Sequence, residues 1–241
     1  MRAAEVVESV RTQLAPVRDG VRGHPYVRAA EEKRLELAQL RPFVGEQFLI
    51  LSSDLRSMAL MVSRFGGDAY VDFFLDLLGG ERAALQALPG LATALAMGTD
   101  DVLGYEPMPG AQAYSAYTAW LAAYASDAEV AAAFAVNFQG WGENCGRLGR
   151  ALRLNYGLSS DQATFFDLFA EPREDFEDRA LQVIEAGLER GVPERLVRRA
   201  PRMLQGYEAM FWDTLYATLT PASALSGTPS AAAGEKAHLD E

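Results

Sequence analysis

The sequence predicts an all-α protein, and three observations lead to that prediction. Apolar residues recur at steps of three and four along most of the chain, which is the period of a helix that buries one face. Runs that alternate apolar and polar residues, typical of a half-buried strand, are not found. Hydrophobic residues make up 49% and charged residues 23% of the 241 residues, which is typical of one globular domain with a sizeable core.

The first half of the chain is predicted to form five helices and then a loop. Pro42 suits the first turn of a long helix, and Gly66 and Gly67 suit its end. His24 precedes a short helix that follows Pro25, and we expect its side chain to cap that helix. The other predicted helices span residues 3–22, 42–65, 68–78 and 81–98, and the loop spans 99–110.

The second half is predicted to contain the longest helix and a tail. Ser126 and Glu129 form the pattern of a capping box, which opens a helix to about residue 155. Pro201 is expected to end one helix and begin the last. The remaining helices are predicted at 111–125, 160–170, 173–191, 194–200 and 201–219. Residues 221–241 are rich in Ala, Ser, Pro and Gly, so we expect one domain over 1–220 and a mobile tail over 221–241.

Composition limits the partners and the compartment. The net charge is -11, which argues against a nucleic acid or an anionic membrane surface as partner. No apolar run reaches transmembrane length. The only cysteine, Cys145, excludes an intrachain disulfide and fits a reducing compartment, so a cytoplasmic location is expected. With His24 and His238 as the only histidines, we expect no metal site, no haem and no other cofactor.

The last helix carries a carboxylate in an apolar stripe. At helical spacing, Glu208 shares one face with Leu204, Phe211 and Leu215. Because burial of an unpaired carboxylate is costly, this acid must be paired, hydrogen-bonded or functional. Two interpretations stay open, a structural salt bridge to one of the arginines and a ligand-binding or catalytic carboxylate.

Polar residues also interrupt the stripe of the helix after Ser126. Asn137 and Asn144 lie at inward spacing on either side of Trp141, and buried amides need hydrogen-bond partners. They either bond to neighbouring helices or line a cavity together with Glu208. Aromatic residues on several helices would give such a cavity mostly apolar walls and a few convergent polar groups, which is the usual make-up of a small-molecule site.

Three motifs, in their order along the chain, carry a resemblance to a known family. They are His-Pro-Tyr-Val at 24–27, Phe-Val-Gly-Glu-Gln-Phe at 43–48 and Tyr-Glu-x-x-Phe-Trp at 207–212. Together they resemble the TenA family of thiaminase II proteins. The resemblance implies a haem-oxygenase-like multi-helix bundle, chemistry related to thiamin or aminopyrimidines, and assembly as a homo-oligomer, either a dimer or a tetramer.

The resemblance also assigns roles, and two family residues are replaced. Glu208 matches the glutamate that holds the pyrimidine, and Gln47 matches the glutamine of a Gln-Asp pair. The aspartate position holds Phe48. Alignment on Gly149 and Arg150 places the nucleophilic cysteine at Trp141, with Cys145 four residues later. Standard thiaminase chemistry is therefore not expected.

The sequence thus predicts a divergent TenA-like protein with a small-molecule pocket between helices. Glu208 is expected to act as a polar anchor or general acid/base. The protein is then a cofactor-free enzyme acting on a heteroaromatic or amine metabolite; the alternative is a non-catalytic binding or regulatory protein that keeps the fold. The expected ligand-binding residues are Gln47, Phe48, Tyr117, Asn137, Trp141, Asn144, Tyr207 and Phe211.

Overall fold

Helices account for all the regular structure in the part of the chain that the computed structural model describes, residues 2–67, 70–171 and 175–219. The all-α prediction is confirmed. A short 3-10 helix, Leu37–Leu40, precedes α3. The ten α-helices within these ranges are α1 (Arg2–Arg22), α2 (Pro25–Glu31), α3 (Arg41–Phe65), α4 (Val71–Ala94), α5 (Thr99–Leu103), α6 (Pro109–Tyr124), α7 (Asp127–Tyr156), α8 (Ser160–Ala170), α9 (Phe176–Glu189) and α10 (Glu194–Ala217). The predicted tail at 221–241 lies outside the described residues.

Two predicted helix starts are formed as the sequence indicates. The Ser126 hydroxyl accepts from the Glu129 backbone N–H, and the Glu129 carboxylate accepts from the Ser126 backbone N–H, which together close the capping box of α7. His24 Nδ1 accepts from the Tyr26 backbone N–H over 3.2 Å and so caps α2. Its Nε2 lies 3.1 Å from Asp213 Oδ1, which ties α2 to α10.

Two predicted helix breaks are wrong. The helices predicted at 68–78 and 81–98 are one helix, α4, which continues through Gly79 and Gly80. The helices predicted on either side of Pro201 are also one, α10, with Pro201 buried inside it. Proline weakens a helix interior, but α10 packs along α1, α6 and α7, and tertiary packing of that length outweighs the local preference.

The core consists of two apolar clusters, one toward each end of the bundle. One cluster takes the amino-terminal half of α7 and of α10, and the other takes their carboxy-terminal halves. Helices α1, α3, α4 and α6 also contribute to both clusters. Six helices therefore pass through both levels of the core, and five of them, α3, α4, α6, α7 and α10, carry buried polar side chains between the two clusters.

Helix α8 approaches α7 closely. A Cβ at Gly142 would lie 2.6 Å from the carbonyl oxygen of Phe169, and one at Gly149 would lie 2.9 Å from Cβ of Phe166. The close approach of α8 therefore explains part of the glycine content of α7. In the described ranges, no helix is both long enough and apolar enough to cross a membrane.

Candidate functional site

A layer of buried polar side chains crosses the bundle between its two apolar clusters. Each of five helices contributes to it at the point where the helix leaves one cluster and enters the other. The members that the site uses are Asp54 of α3, Glu81 of α4, Tyr114 and Thr118 of α6, Asn137 of α7, and Gln205 and Glu208 of α10. The layer holds three acids, and burial at this level forces each of them to find a partner or to shift its protonation.

Glu208 is 1% exposed and is held by three neutral donors. Asn137 Nδ2 and Gln205 Nε2 each donate to Glu208 Oε2 over 2.7 Å. Trp212 Nε1 donates to Oε1 over 3.2 Å. Among the described residues, no arginine, lysine or histidine forms an ion pair with this carboxylate. The described structure therefore does not contain the salt bridge that was one of the two interpretations of Glu208.

Burial raises the pKa of Glu208 to about 7, and the hydrogen bonds from Trp212, Gln205 and Asn137 act against that rise. The carboxyl group therefore exchanges its proton close to neutral pH. That is the range in which a side chain serves best as a general acid or base.

Tyr114 fixes the orientation of the amide that holds Glu208. Its hydroxyl donates to Asn137 Oδ1 over 2.8 Å, so the Asn137 amide nitrogen faces the carboxylate. Burial and the negative charges of Asp54, Glu208 and Glu81 raise the pKa of Tyr114 well above its usual value. The phenol therefore stays protonated. In both hydrogen bonds, from Tyr114 to Asn137 and from Asn137 to Glu208, the donor is then on the side away from the carboxylate.

Asp54 is as deeply buried as Glu208 but is not satisfied in the same way. It is 1% exposed, and its Oδ1 has no hydrogen-bond partner within the described part of the chain. Burial raises the pKa of Asp54 well above its usual value, the charge of Glu81 raises it further, and a hydrogen bond with Thr118 lowers it.

A small cavity of about 30 Å³ lies at this level of the bundle. Its walls combine three carboxyl groups, a glutamine, two aliphatic side chains and five aromatic rings. The lining residues are Gln47, Ile50, Leu51, Asp54, Glu81, Tyr114, Phe138, Trp141, Phe169, Glu208 and Phe211. A space of this size accommodates about one or two water molecules.

A groove of about 1000 Å³ adjoins the cavity. Glu81, Phe138, Trp141 and Phe169 line both spaces, so these four side chains separate the cavity from the groove. The rest of the groove is formed by α1, α4, α7, α8 and the start of α9. Three half-buried aromatic rings and one buried acid therefore lie at the boundary between the groove and the cavity that Glu208 lines.

The structure brings some of the predicted ligand-binding residues together. Gln47, Trp141 and Phe211 line the cavity with Glu208, and Asn137 bonds to Glu208 directly. Asn144 is buried elsewhere and donates to the Val21 carbonyl oxygen over 2.9 Å, so it serves helix packing.

The other three predicted residues lie outside the cavity wall. Phe48 is half-buried and packs against the apolar cluster at its own end of the bundle. Tyr117 stacks on Trp120, with ring centroids 5.6 Å apart, and also contacts Tyr207 at 5.3 Å.

Cys145 is fully buried, and desolvation together with the charge of Glu208 raises the pKa of its thiol well above the usual value.

Sequence reasoning missed Glu81 and Gln205. Tyr114 was expected only as one of the aromatic walls of a cavity, and Asp54 was not placed on the inner face of α3. A signal existed for Asp54, because Val44, Gln47, Leu51, Asp54 and Met58 follow helical spacing and are all buried. A second stripe, Val44, Phe48, Leu51, Leu55 and Met58, is equally regular in the sequence and shares three of these residues. It places Phe48 and Leu55 on the inner face in place of Gln47 and Asp54.

The protein is an all-α helical bundle with a buried polar cavity at its centre. Comparison with known proteins gives its family. The sequence profile of the TENA/THI-4/PQQC family matches residues 11–218, so the chain belongs to this family. No curated protein sequence shows a significant match to the chain.

Solved structures show the same architecture. A TenA homologue from P. horikoshii OT3 superposes with a TM-score of 0.70 at 17% identity, covering 88% of this chain and 99% of that chain. A TenA homolog from Pseudomonas syringae gives 0.73 at 14% identity, covering 87% and 92%. A Shewanella denitrificans domain of unknown function, described as having a heme oxygenase-like fold, gives 0.70 at 16%, covering 94% and 98%. The predicted haem-oxygenase-like bundle is confirmed.

Proposed function

We propose that the protein binds a small heteroaromatic or amine metabolite beside Glu208 and acts on it without a cofactor. The observation that carries the proposal is a fully buried carboxyl group that has a pKa of about 7 and no counter-cation within the described residues. Structural carboxylates at such depth are normally neutralised by a cation. A group that is instead held by neutral donors is suited to anchoring a ligand and to exchanging a proton with it.

The hydrogen bonds around Glu208 leave room for a ligand. An ionised carboxylate has about four acceptor positions, and three are used by Asn137, Gln205 and Trp212. Since Glu208 also lines the cavity, the remaining position is available to an N–H group of a bound molecule. The proton that Glu208 carries or loses near neutral pH is the one the proposed reaction would move.

The aromatic rings decide how a ligand reaches this carboxyl group. The cavity is too small for a heteroaromatic ring, so the rings of Phe138, Trp141 and Phe169 must rotate and join it to the groove. The alignment on Gly149 and Arg150 assigns Trp141 to the position of the family's nucleophilic cysteine, whereas a register shifted by four residues would assign Cys145. The Cys145 thiol is buried with a raised pKa. We therefore propose acid–base chemistry at Glu208 and no covalent intermediate on sulfur.

The second candidate is a non-catalytic binding or regulatory protein that keeps the fold. The small size of the cavity is the observation in its favour, because a space of about 30 Å³ suits a protein that captures a ligand by rearranging its side chains. The two candidates differ in what Glu208 does after binding. Assembly as a homo-oligomer and a cytoplasmic location remain predictions.

The test compares Glu208→Gln with Glu129→Gln. Both replace a buried glutamate by its neutral isostere, but Glu129 lies in the capping box of α7, away from the cavity. Small molecules that copurify with each protein are identified by native mass spectrometry, and their binding and turnover are then measured. We expect Glu208→Gln to lose the molecule while Glu129→Gln retains it.

The unfolding of the ligand-free variants completes the test. A loss of about 3–5 kcal/mol in Glu208→Gln would mean that a buried ion pair had been broken, and the proposal would be wrong. Retained turnover in Glu208→Gln would also contradict it. Binding without turnover in the unmodified protein would favour the non-catalytic candidate.

A further inference from the structure

We propose that the ligand is a ring with an anionic substituent, a phosphate or a carboxylate, which Arg22 and Arg150 bind in the groove while the ring reaches the cavity. This inference deepens the proposed function and rests on Glu208 being a ligand site. The three family motifs at 24–27, 43–48 and 207–212 contain neither arginine.

The charges that line the groove are unevenly distributed. Its described lining includes four arginines and four glutamates, so the groove as a whole is close to neutral. Arg11 is paired with Glu177 at the start of α9, where Nη1 lies 2.7 Å from Oε1. The other three arginines, Arg22, Arg147 and Arg150, belong together, because Arg147 Nη1 donates to the Arg22 carbonyl oxygen and Arg150 lies about one turn beyond Arg147 on α7.

Positive charge predominates around these three arginines. The charged side chains of this basic cluster are Arg22, Arg28, Arg147, Arg150, Glu31, Glu143 and Glu171. Four arginines thus meet three glutamates, in a chain whose net charge is -11. A hydrogen bond from Arg147, together with the charges of the neighbouring arginines, holds the pKa of Glu31 below its usual value. The basic cluster therefore keeps a positive charge that its own described acids do not neutralise.

Arg147 is fully engaged within the basic cluster. Its Nε and Nη2 donate to the two Glu31 carboxylate oxygens over 2.8 and 2.6 Å, and its Nη1 donates to the end of α1. Arg147 therefore joins α7 to α1 and α2, and it supplies charge to the groove rather than free donors.

Arg22 and Arg150 keep donors that a ligand can use. Arg22 forms an ion pair through Nε alone, with Glu143 Oε2 at 2.9 Å, and its side chain is 62% exposed. Arg150 is also exposed and forms no hydrogen bond or ion pair with another described residue. A guanidinium group presents parallel N–H donors that match the oxygens of a phosphate or a carboxylate. Because an exposed ion pair contributes little to stability, an anion can displace Glu143 from Arg22.

The basic cluster and the cavity are within reach of one ligand. Trp141, at the boundary of the cavity, and Arg150 are nine residues apart on α7, which is about 14 Å along the helix axis. Helical side chains lean toward the amino end, so the long side chain of Arg150 shortens that distance. Between the two, α7 lines the groove with Gly142 and Gly146, which have no side chain to fill it. The groove of about 1000 Å³ therefore has room for a ring at Trp141 and for its anionic substituent.

Three probes with one ring test the charge requirement. Pyridylmethanol is neutral in its substituent, whereas pyridylmethyl phosphate and pyridylacetate are anionic at neutral pH. Their affinities for the full chain are measured by isothermal titration calorimetry at low ionic strength. We expect at least one anionic probe to bind about tenfold more tightly than pyridylmethanol, and added salt to reduce the difference. The anion with the larger preference, phosphate or carboxylate, identifies the substituent.

Matched variants locate the source of that preference. Arg150→Gln should remove most of it, and the double variant Arg22→Gln/Arg150→Gln should remove it altogether. Both side chains are exposed and make few contacts, so these variants should keep the fold, which circular dichroism verifies. Arg56→Gln is the control, because it removes the same charge from an exposed position of α3 that does not line the groove. It should leave the preference unchanged.

The outcomes separate this inference from the proposed function. Equal affinities for the three probes, no binding of either anionic probe, or a preference that survives in the double variant would each overturn the anion site. Glu208→Gln should weaken all three probes by a similar factor and keep their ratios. If the ratios depend on Arg150 but Glu208→Gln has no effect on any probe, the proposed role of Glu208 fails and the anion site stands.

Discussion

Glu208 and Asp54, two buried acids in the wall of the same cavity, differ in their hydrogen-bond partners. Glu208 and Asp54 are both 1% exposed, and burial raises the pKa of both. Glu208 is held by three donors from two helices, whereas Asp54 has an oxygen with no partner in the described residues and an acid, Glu81, as its neighbour. Burial alone therefore does not show what an acid is for. The supply of donors is informative, because hydrogen bonds reduce the cost of burying the charged form, whereas an acid without donors bears that cost in full.

The largest expected effect is on the pH dependence of stability, and it comes from Glu208. Its pKa is about 7 in the folded protein against an ordinary value of 4.5, so the folded state binds the proton more tightly than the unfolded state. The contribution to stability is fully present below about pH 4.5 and is lost as the pH rises to about 7. The difference amounts to about 3 kcal/mol.

Urea unfolding of the ligand-free protein between these pH values, followed by circular dichroism, measures that loss. Glu208→Gln carries no titrating group at this position, so the difference between its curve and that of the unmodified protein isolates Glu208. Parallel curves for the two proteins would show that the pKa of Glu208 is not raised. At neutral pH, the free energy of unfolding of Glu208→Gln should lie within about 2 kcal/mol of that of the unmodified protein. The expected cost is small because only one donor, Trp212, loses a carboxylate acceptor and faces the amide NH2 group instead.

A somewhat smaller effect is expected from removing the amide that joins Tyr114 to Glu208. Asn137→Leu leaves the carboxylate with one donor fewer and the Tyr114 hydroxyl without its acceptor, which should cost about 2–3 kcal/mol at neutral pH. Asn144→Leu is the matched control, since Asn144 is equally buried but serves only helix packing, and it should cost about 1–2 kcal/mol. Equal losses in chemical denaturation would mean that Asn137 has no special part in the network.

The smallest expected effect is a gain in stability, and it comes from replacing Asp54. Asp54→Asn removes a carboxyl group that is buried beside Glu81, and the variant should be more stable than the unmodified protein by about 1 kcal/mol at neutral pH. Thermal unfolding of the ligand-free proteins measures this difference. A clear loss of stability would show that Asp54 has a structural role, and the contrast between the two acids would then disappear.

The sequence predicts the all-α class and most of the helices, and it predicts Glu208 and Asn137 better than Asp54 and Glu81. Glu208 stood out because it interrupts a regular apolar stripe, and Asn137 because it does the same on α7. Both were placed correctly on the inner faces of their helices. A single stripe that is clearly apolar gives the orientation of a helix without any knowledge of its neighbours.

Asp54 and Glu81 could not be found in the same way. Helix α3 has apolar residues on more than one face, so two overlapping stripes were equally regular and the wrong one was chosen. Glu81 follows Gly79 and Gly80, which indicate a helix end, although α4 continues through them. The contact between α3 and α4 that buries both acids depends on tertiary packing, which a single sequence does not contain.

Six helices contribute to both apolar clusters, and five of them also carry the polar layer between the clusters. Their backbone hydrogen-bond ladders cross that level without interruption, so the two halves of the core are coupled and must unfold as one cooperative unit. At the polar layer, only the packing of the side chains is therefore less stable than in the apolar clusters, and the helices themselves are not. Rotation of a few rings can admit a molecule to the centre of the bundle while the amide protons around it remain protected from exchange with solvent.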